Sequence, residues 1–291
     1  MSTANQQIHY RTATVQGIEI FYREAGSPDL PTILLLHGFP TSSHMFRDLI
    51  PLLADRYHLV APDYPGFGYS TRPAPGEFVY TFDHLADVIE GFVDALGLTR
   101  YSLYMQDFGG PVGFRLATRR PRQVRALIIQ NANAYEEGVS SGVKDVVLRI
   151  WKERTPETGA RLRELFELPV TRRQYLEGAP DPTQVSPDAW EHAQWGMDRP
   201  GNKDIQFVLH ADYGSNVERY PEWHDYFRKL QPAALIVWGR NDFVFLPAGA
   251  EAYGRDLKHV ELHMLDAGHF ALETHVAEIA DFILGFKAAR E

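Results

Sequence analysis

The segment that decides the fold spans residues 101–110 and reads YSLYMQDFGG. Residues 101–105 are predicted as a buried strand, and residues 109–118 as the helix that follows it. Asp107 then stands at a sharp strand-to-helix turn, which strains its backbone and lifts its side chain above the sheet. The helix start also places backbone N–H groups and the positive end of the helix dipole beside the carboxylate. Taken alone, the position fits a helix N-cap equally well.

The same alternation of strand and helix extends outward on both sides of this segment. Apolar runs predict a first strand pair that turns at Gly17, and further strands at residues 32–37, 57–61, 124–130, 233–238 and 260–265. Helical periodicity predicts helices at residues 41–54, 81–96, 248–256 and 270–286. This order predicts a mostly parallel, doubly wound sheet that is covered by helices on both faces.

The pattern changes after Asn131, where apolar strands stop and Trp, Tyr, Arg, Glu and Pro become frequent. We predict that residues 132–228 form an inserted helical cap, while residues 1–131 and 229–291 form the core domain. A helical insertion of this kind is expected over the carboxyl ends of the strands, where doubly wound sheets bind ligands.

Composition excludes several classes of function. The net charge of −9 among 291 residues disfavours nucleic acid and anionic membranes as partners, and the chain has no cysteine for disulfides or thiolate metal sites. Residues 1–10 are polar, so we expect no signal peptide and a cytoplasmic location. We expect a monomer or homodimer that acts on a small apolar or weakly polar molecule.

Two more polar residues follow apolar strands directly. Asp242 lies just after the strand at residues 233–238, and His269 just after the strand at residues 260–265. Parallel strands end at one edge of a sheet, so Asp107, Asp242 and His269 are expected to meet there. The chain order of nucleophile, acid and histidine matches the arrangement around a nucleophile elbow.

Four motifs together carry a resemblance to a known family: HGFP at residues 37–40, QDFGG at 106–110, GRND at 239–242 and GHF at 268–270. They resemble the α/β-hydrolases of the epoxide hydrolase and haloalkane dehalogenase group, and hence that fold. The resemblance implies that Asp107 is the nucleophile, His269 the base and Asp242 the acid that orients it. It also implies an oxyanion hole formed by the N–H groups of Phe39 and Phe108, and a cis bond before Pro40.

The predicted chemistry is attack by a carboxylate on sp³ carbon, followed by hydrolysis of the resulting ester with water as co-substrate. An epoxide oxygen needs a proton donor, for which Tyr213 is the candidate, whereas a halide needs only hydrogen-bond donors. The side chains of Phe108 and Phe39 lack the N–H donors that dehalogenases commonly carry on the side chains at those positions. The sequence therefore favours an epoxide hydrolase, with a haloalkane dehalogenase as the alternative and a non-catalytic ligand receptor as a third reading.

Four further residues are predicted to line the substrate pocket: Trp151, Tyr135, Tyr175 and Phe243. Trp151 and Tyr213 could together bind a halide, so the dehalogenase alternative stays open. Tyr135 and Tyr175 are the candidates for a second cap tyrosine, which epoxide hydrolases usually have. The haloacid-binding arginines of related enzymes are absent after Asp107.

Two patterns are interpreted as decoys. GVSSG at residues 138–142 matches an esterase motif but follows no strand. His259 and His263 alternate with Glu261 along a predicted strand, but no third ligand is evident, so we expect neither a metal nor a cofactor.

Overall fold

The computed structural model describes residues 7–290, so most of the N-terminal stretch for which no signal peptide is expected lies outside the described residues. Its strands form one eight-stranded sheet in the order β1-β2-β4-β3-β5-β6-β7-β8. Their bounds are β1 His9–Val15, β2 Ile18–Ala25, β3 Thr32–Leu36, β4 His58–Pro62, β5 Tyr101–Gln106, β6 Val124–Gln130, β7 Ala234–Gly239 and β8 Val260–Leu265. β2 pairs antiparallel with β1 and β4, and all other pairs are parallel. The predicted fold class is confirmed.

Burial explains why the central strands read as continuous apolar runs. Every residue of β3, β4, β5 and β7 is buried, because helices cover both faces of a parallel sheet. The helices are α1 Leu49–Leu53, α2 Phe82–Ala95, α3 Gly109–Arg119, α4 Ser141–Val143, α5 Arg149–Lys152, α6 Pro156–Glu164, α7 Leu168–Leu176, α8 Pro187–Met197, α9 Asn202–Asp212, α10 Gly214–Glu218, α11 Tyr220–Leu230, α12 Pro247–Ala252 and α13 Leu272–Gly285. One apolar cluster joins α2 and α3 to the sheet, and a second joins α1 and α13 to its other face.

Three predicted helices are shorter or broken in the structure. The helix predicted at residues 41–54 is wrong as one element, since a 3₁₀ turn at Ser43–Phe46 precedes α1. Pro51 has no N–H to donate to the carbonyl of Arg47, so it fits the first turn of a new helix, and α1 begins at Leu49. The helix predicted at 248–256 ends as a 3₁₀ turn at Tyr253–Arg255, and α13 is kinked at His275.

The region between Gln130 and Ala234 contains α4 to α11 and no strand. It packs onto the loops after β3 and β5, where the ring of His210 contacts Phe39 and Phe108. That residues 132–228 form a cap domain distinct from the core stays a prediction. Within residues 7–290, no helix has both the length and the apolar character needed to cross a membrane.

Candidate active site

The turn after β5 has the strained backbone that the sequence predicts. Asp107 has a φ of 49°, a left-handed conformation that residues other than glycine rarely adopt. Gly109 makes the turn possible, because a Cβ at this position would lie 2.1 Å from the carbonyl oxygen of Leu36. The result is a carboxylate raised at the carboxyl end of the central strand, with 6% of the residue exposed.

One oxygen of the Asp107 carboxylate is held by the backbone. The N–H of Phe39 donates to Asp107 Oδ1 at 2.7 Å, and the Phe39–Pro40 bond is cis as predicted. Gly38 allows this approach, since a Cβ there would lie 2.6 Å from Oδ1. The Phe39 N–H thus contacts the Asp107 carboxylate, while an oxyanion hole formed by the N–H groups of Phe39 and Phe108 stays a prediction.

His269 lies between the two carboxylates. Its Nδ1 donates to Asp242 Oδ2 at 2.8 Å, and its Nε2 lies 3.6 Å from Asp107 Oδ2. All three residues are buried. A carboxylate accepts but cannot donate, so Asp242 keeps the hydrogen on Nδ1 and turns Nε2 toward Asp107.

Asp242 is itself held by three further hydrogen bonds. Asn131 Nδ2 donates to its Oδ2 at 2.8 Å, and the N–H groups of Val244 and Phe245 donate to its Oδ1 at 2.7 and 3.2 Å. Donors to a buried carboxylate compensate its lost hydration and fix its orientation. Asn131 directly follows β6, and its contact with Asp242 was not predicted from the sequence.

The charges around His269 govern its protonation. Burial by itself lowers the pKa of the imidazole, but the charges of Asp242 and Asp107 and a hydrogen bond to each of them outweigh it and raise the pKa to about 10. The free site thus holds a histidinium between two carboxylates at neutral pH. The side-chain amide of Gln106 lies 3.2 Å from His269 Nε2, and toward a histidinium the amide oxygen is the group that accepts.

A cavity of about 670 Å³ extends from Phe39 and Phe108, which flank the Asp107 carboxylate, toward the helical region. Most of its wall is apolar. Phe243 lines it as predicted. The other lining residues include Phe39, Phe108, Tyr213, Val143, Val146, Val147, Leu165, Val170, Phe245 and the polar or charged Arg161, Glu164, Arg173, Gln174 and His210. Its size and lining fit a small apolar or weakly polar molecule.

Tyr213 lines the cavity beside Phe108. Its ring packs against Phe108 and Phe82 with centroids 6.0 and 5.8 Å apart. Burial, the neighbouring Tyr220 and the charge of Asp107 raise the pKa of the Tyr213 hydroxyl well above its ordinary value. The hydroxyl therefore stays protonated at neutral pH, and it is hydrogen-bonded to Tyr220.

Three residues predicted for the pocket do not line this cavity. Trp151 lies against Gly214 and donates from Nε1 to Glu218 at the surface, at 3.3 Å. The Tyr135 hydroxyl donates to Asp256 at 2.9 Å, and Tyr175 stacks flat on Phe270 at 4.0 Å. The placement of these three in the pocket is corrected, because each polar atom or ring is engaged elsewhere.

His210 is a cavity residue that the sequence analysis missed. It lies on α9, one helical turn before Tyr213, and its ring meets Phe39 edge-on at 4.4 Å. The sequence around His210 contains no motif that predicts a site. Its place in the cavity depends on the packing of α9 over Phe39.

The two decoys behave as local structure. Ser140 Oγ accepts from the N–H of Val143 at the start of α4, although Ser140 and Ser141 do border the cavity. His263 pairs with Glu261 at 2.8 Å on β8. Among residues 7–290, no group of three or more His, Asp or Glu side chains is arranged to hold a metal ion.

Known proteins show similarity over nearly the whole chain. Residues 31–276 match the family model described as alpha/beta hydrolase fold. The chain is 42% identical over 275 residues to an uncharacterized hydrolase of Saccharomyces cerevisiae, with 94% of both chains covered. It is 41% identical over 121 residues to a haloalkane dehalogenase of Bradyrhizobium diazoefficiens, a match that covers 42% of this chain and 38% of the dehalogenase. The crystal structure of haloalkane dehalogenase DbeA from Bradyrhizobium elkani has a TM-score of 0.79 and 25% identity, covering 97% of this chain and 100% of that one. These matches confirm the resemblance carried by the four motifs.

Proposed function

The chain belongs to the α/β-hydrolase fold family, and we propose that within it Asp107 is a nucleophile that forms an alkyl ester with its substrate. The observation that carries this proposal is the arrangement of the carboxylate, with Oδ1 bound to the Phe39 N–H and Oδ2 facing His269. A carboxylate at the elbow can displace a leaving group from sp³ carbon. His269, whose Nδ1 is held by Asp242, is oriented to act later on water.

In the first step, a lone pair of Asp107 Oδ2 attacks a carbon of the substrate, because Oδ1 is already held by the backbone. The carbon–oxygen bond of an epoxide breaks, and its electron pair goes to the ring oxygen, which takes the proton of Tyr213. Histidinium 269 then loses its stabilising partner, because Asp107 is now a neutral ester. The histidinium then gives a proton to the Tyr213 phenolate. Tyr213 is protonated again, and His269 is neutral for the second step.

In the second step, His269 Nε2 removes a proton from water, and the water oxygen attacks Cγ of Asp107. The developing charge on Oδ1 is stabilised by the N–H of Phe39 and, as proposed, of Phe108. The bond between Cγ and Oδ2 then breaks, and the product oxygen takes the proton of the newly formed carboxyl group. A vicinal diol leaves, and the Asp107 carboxylate and histidinium 269 are restored.

The polar groups of the cavity support an epoxide over a halide as the leaving group. Tyr213 lines the cavity and offers the proton that an alkoxide needs. A halide instead needs N–H donors, and the indole N–H of Trp151 is bound to Glu218 outside the cavity. We therefore propose an epoxide hydrolase whose proton donor comes from the helical cap at residues 132–228.

Haloalkane dehalogenase activity is the second candidate, and the similarity to the Bradyrhizobium dehalogenases favours it. The same ester would form on Asp107, with halide as the leaving group. A ligand receptor without catalysis is disfavoured, since ligand binding alone requires neither the strained Asp107 nor its contact with His269.

The test is a substrate panel that compares terminal epoxides with 1-bromoalkanes and 1-chloroalkanes of equal chain length. We expect diol formation at a kcat/KM well above that of halide release, and loss of both in Asp107→Ala. Halide release with no diol formation would replace the epoxide proposal with the dehalogenase. Turnover of neither class by a folded protein would reject both.

A further inference from the structure

His210 has a protonation state that its own helix determines. Its Nδ1 lies 2.8 Å from the carbonyl oxygen of Gln206, one turn earlier on α9. A carbonyl oxygen can only accept, so Nδ1 carries the hydrogen of the neutral ring. The other ring nitrogen, Nε2, consequently presents a lone pair.

The surroundings of His210 keep the ring neutral. The residue is 3% exposed and is enclosed by the rings of Phe39, Phe108 and Phe166 at centroid distances of 4.4, 5.1 and 5.2 Å. This burial lowers the pKa of His210 to about 4, although the Gln206 carbonyl and the charge of Asp107 act in the opposite direction. At neutral pH the imidazole is thus an acceptor and not a cation.

The lone pair has no use within the site described so far. His210 lines the cavity, and among the described residues Nε2 has no hydrogen-bond partner. It is a strong acceptor in a wall made mostly of Val, Leu and Phe side chains. Nε2 is not among the fully buried atoms, so an occupant of the cavity that covered it without donating to it would leave this acceptor unpaired. This disfavours an apolar occupant and favours one that brings a donor.

We propose that His210 is a specificity-determining residue, and that the substrates are epoxides that carry a hydroxyl group within reach of His210 Nε2. The hydroxyl donates to the imidazole while Tyr213, which caps the carboxyl end of α9, donates to the epoxide oxygen. The two residues then bind the substrate at two points and present a ring carbon to Asp107. This inference rests on the proposed function, because it assigns a substrate class to the same cavity.

The test uses pairs of epoxides that differ only by CH₂OH in place of CH₂CH₃. Suitable pairs are 2,3-epoxypropan-1-ol with 1,2-epoxybutane, and 3,4-epoxybutan-1-ol with 1,2-epoxypentane. In the wild type, kcat/KM for the hydroxyl member of at least one pair is expected to be about tenfold higher, the value of one hydrogen bond. Equal or better turnover of the alkyl member in every pair would overturn the proposal without any variant.

His210→Phe keeps a flat ring in the cavity but removes the acceptor. We expect the preference for the hydroxyl member to fall about tenfold, with turnover of the alkyl member retained. The matched control is His224→Phe, because His224 Nε2 is bound to the carbonyl of Ala134 and His224 lies outside this cavity. The control should leave the preference unchanged; an unchanged preference in folded His210→Phe would contradict the assignment.

A failure of the epoxide proposal is distinguishable from a failure of the role of His210. If epoxides are not converted but bromides are, the same comparison applies to 4-bromobutan-1-ol and 1-bromopentane. A hydroxyl preference that disappears in His210→Phe would then retain the role of His210 with another leaving group. No preference with either leaving group would reject it.

Discussion

Replacing Asp107 by Asn should lower the pKa of His269 by about 3. The amide keeps the shape of the carboxylate but removes its charge, as the alkyl ester does in the proposed reaction. At the 3.6 Å between His269 Nε2 and Asp107 Oδ2, two unit charges attract by about 4.6 kcal/mol at an effective dielectric constant of about 20. That energy corresponds to a pKa change of about 3.

The direction follows from which form the carboxylate stabilises. A negative neighbour favours the histidinium, so its loss favours the neutral ring, and the pKa should fall from about 10 to about 7. Formation of the ester would then convert His269 from a protonated partner of Asp107 into a free base. The rate of ester hydrolysis should accordingly rise with pH up to about 7 and level off above it.

The assay is an NMR titration of the His269 ring nitrogens in the wild type, Asp107→Asn and Asp107→Ala. Asp188→Asn is the matched control, since its side chain is exposed at the start of α8. Both variants at position 107 should titrate near 7, and the control should match the wild type. A His269 pKa within one unit of the wild type in both position 107 variants would refute the reasoning.

Three more predictions address the cavity and the turn. Tyr213→Phe should slow formation of the ester about 100-fold or more while changing its hydrolysis less than about twofold, because only the first step needs the hydroxyl proton; rapid-quench kinetics separates the two, and equal slowing of both would exclude the acid role. Gly38→Ala should reduce kcat/KM by about 100-fold or more in a folded protein, since its Cβ would lie 2.6 Å from Asp107 Oδ1, whereas Gly196→Ala, which meets nothing within 4 Å, should remain active. The folded-state pKa of His210, about 4, lies below its unfolded value of about 6.5, so the unfolded state binds the extra proton. As the pH falls from 7 to 4, the wild type should therefore lose about 3 kcal/mol of stability from this group. Urea denaturation across this range should show a smaller loss for His210→Phe, and an equal loss would contradict the burial argument.

The position of the site could be predicted from sequence because its signals are local. Asp107, Asp242 and His269 each follow an apolar strand, and parallel strands end at one edge of the sheet. Periodicity likewise located α2, α3 and the core strands within a few residues. Prediction was wrong at residues 41–54, where Pro51 favours the first turn of a new helix and α1 begins only at Leu49.

The wall of the cavity could not be predicted in the same way, because it depends on contacts between distant segments. Trp151 faces away from the cavity because Gly214 lets α10 approach its ring and Glu218 binds its indole N–H. Asn131 and His210 lie outside the four motifs, and Gln106 lies in one that predicts no contact for its side chain. The contacts of these residues with Asp242, Phe39 and His269 exist only in the folded chain. The sequence of the helical region predicts where helices form more clearly than which helices pack against each other.

The most direct test of the central claim is a single turnover in ¹⁸O-labelled water with enzyme in excess over an epoxide substrate. Attack of water on Cγ of Asp107 leaves the water oxygen in the carboxylate, while the product receives the unlabelled Oδ2. Mass spectrometry of the peptide that contains Asp107 should therefore show an increase of about 2 Da, and the first diol released should carry no label. Label in the diol with an unlabelled Asp107 peptide would contradict the ester mechanism.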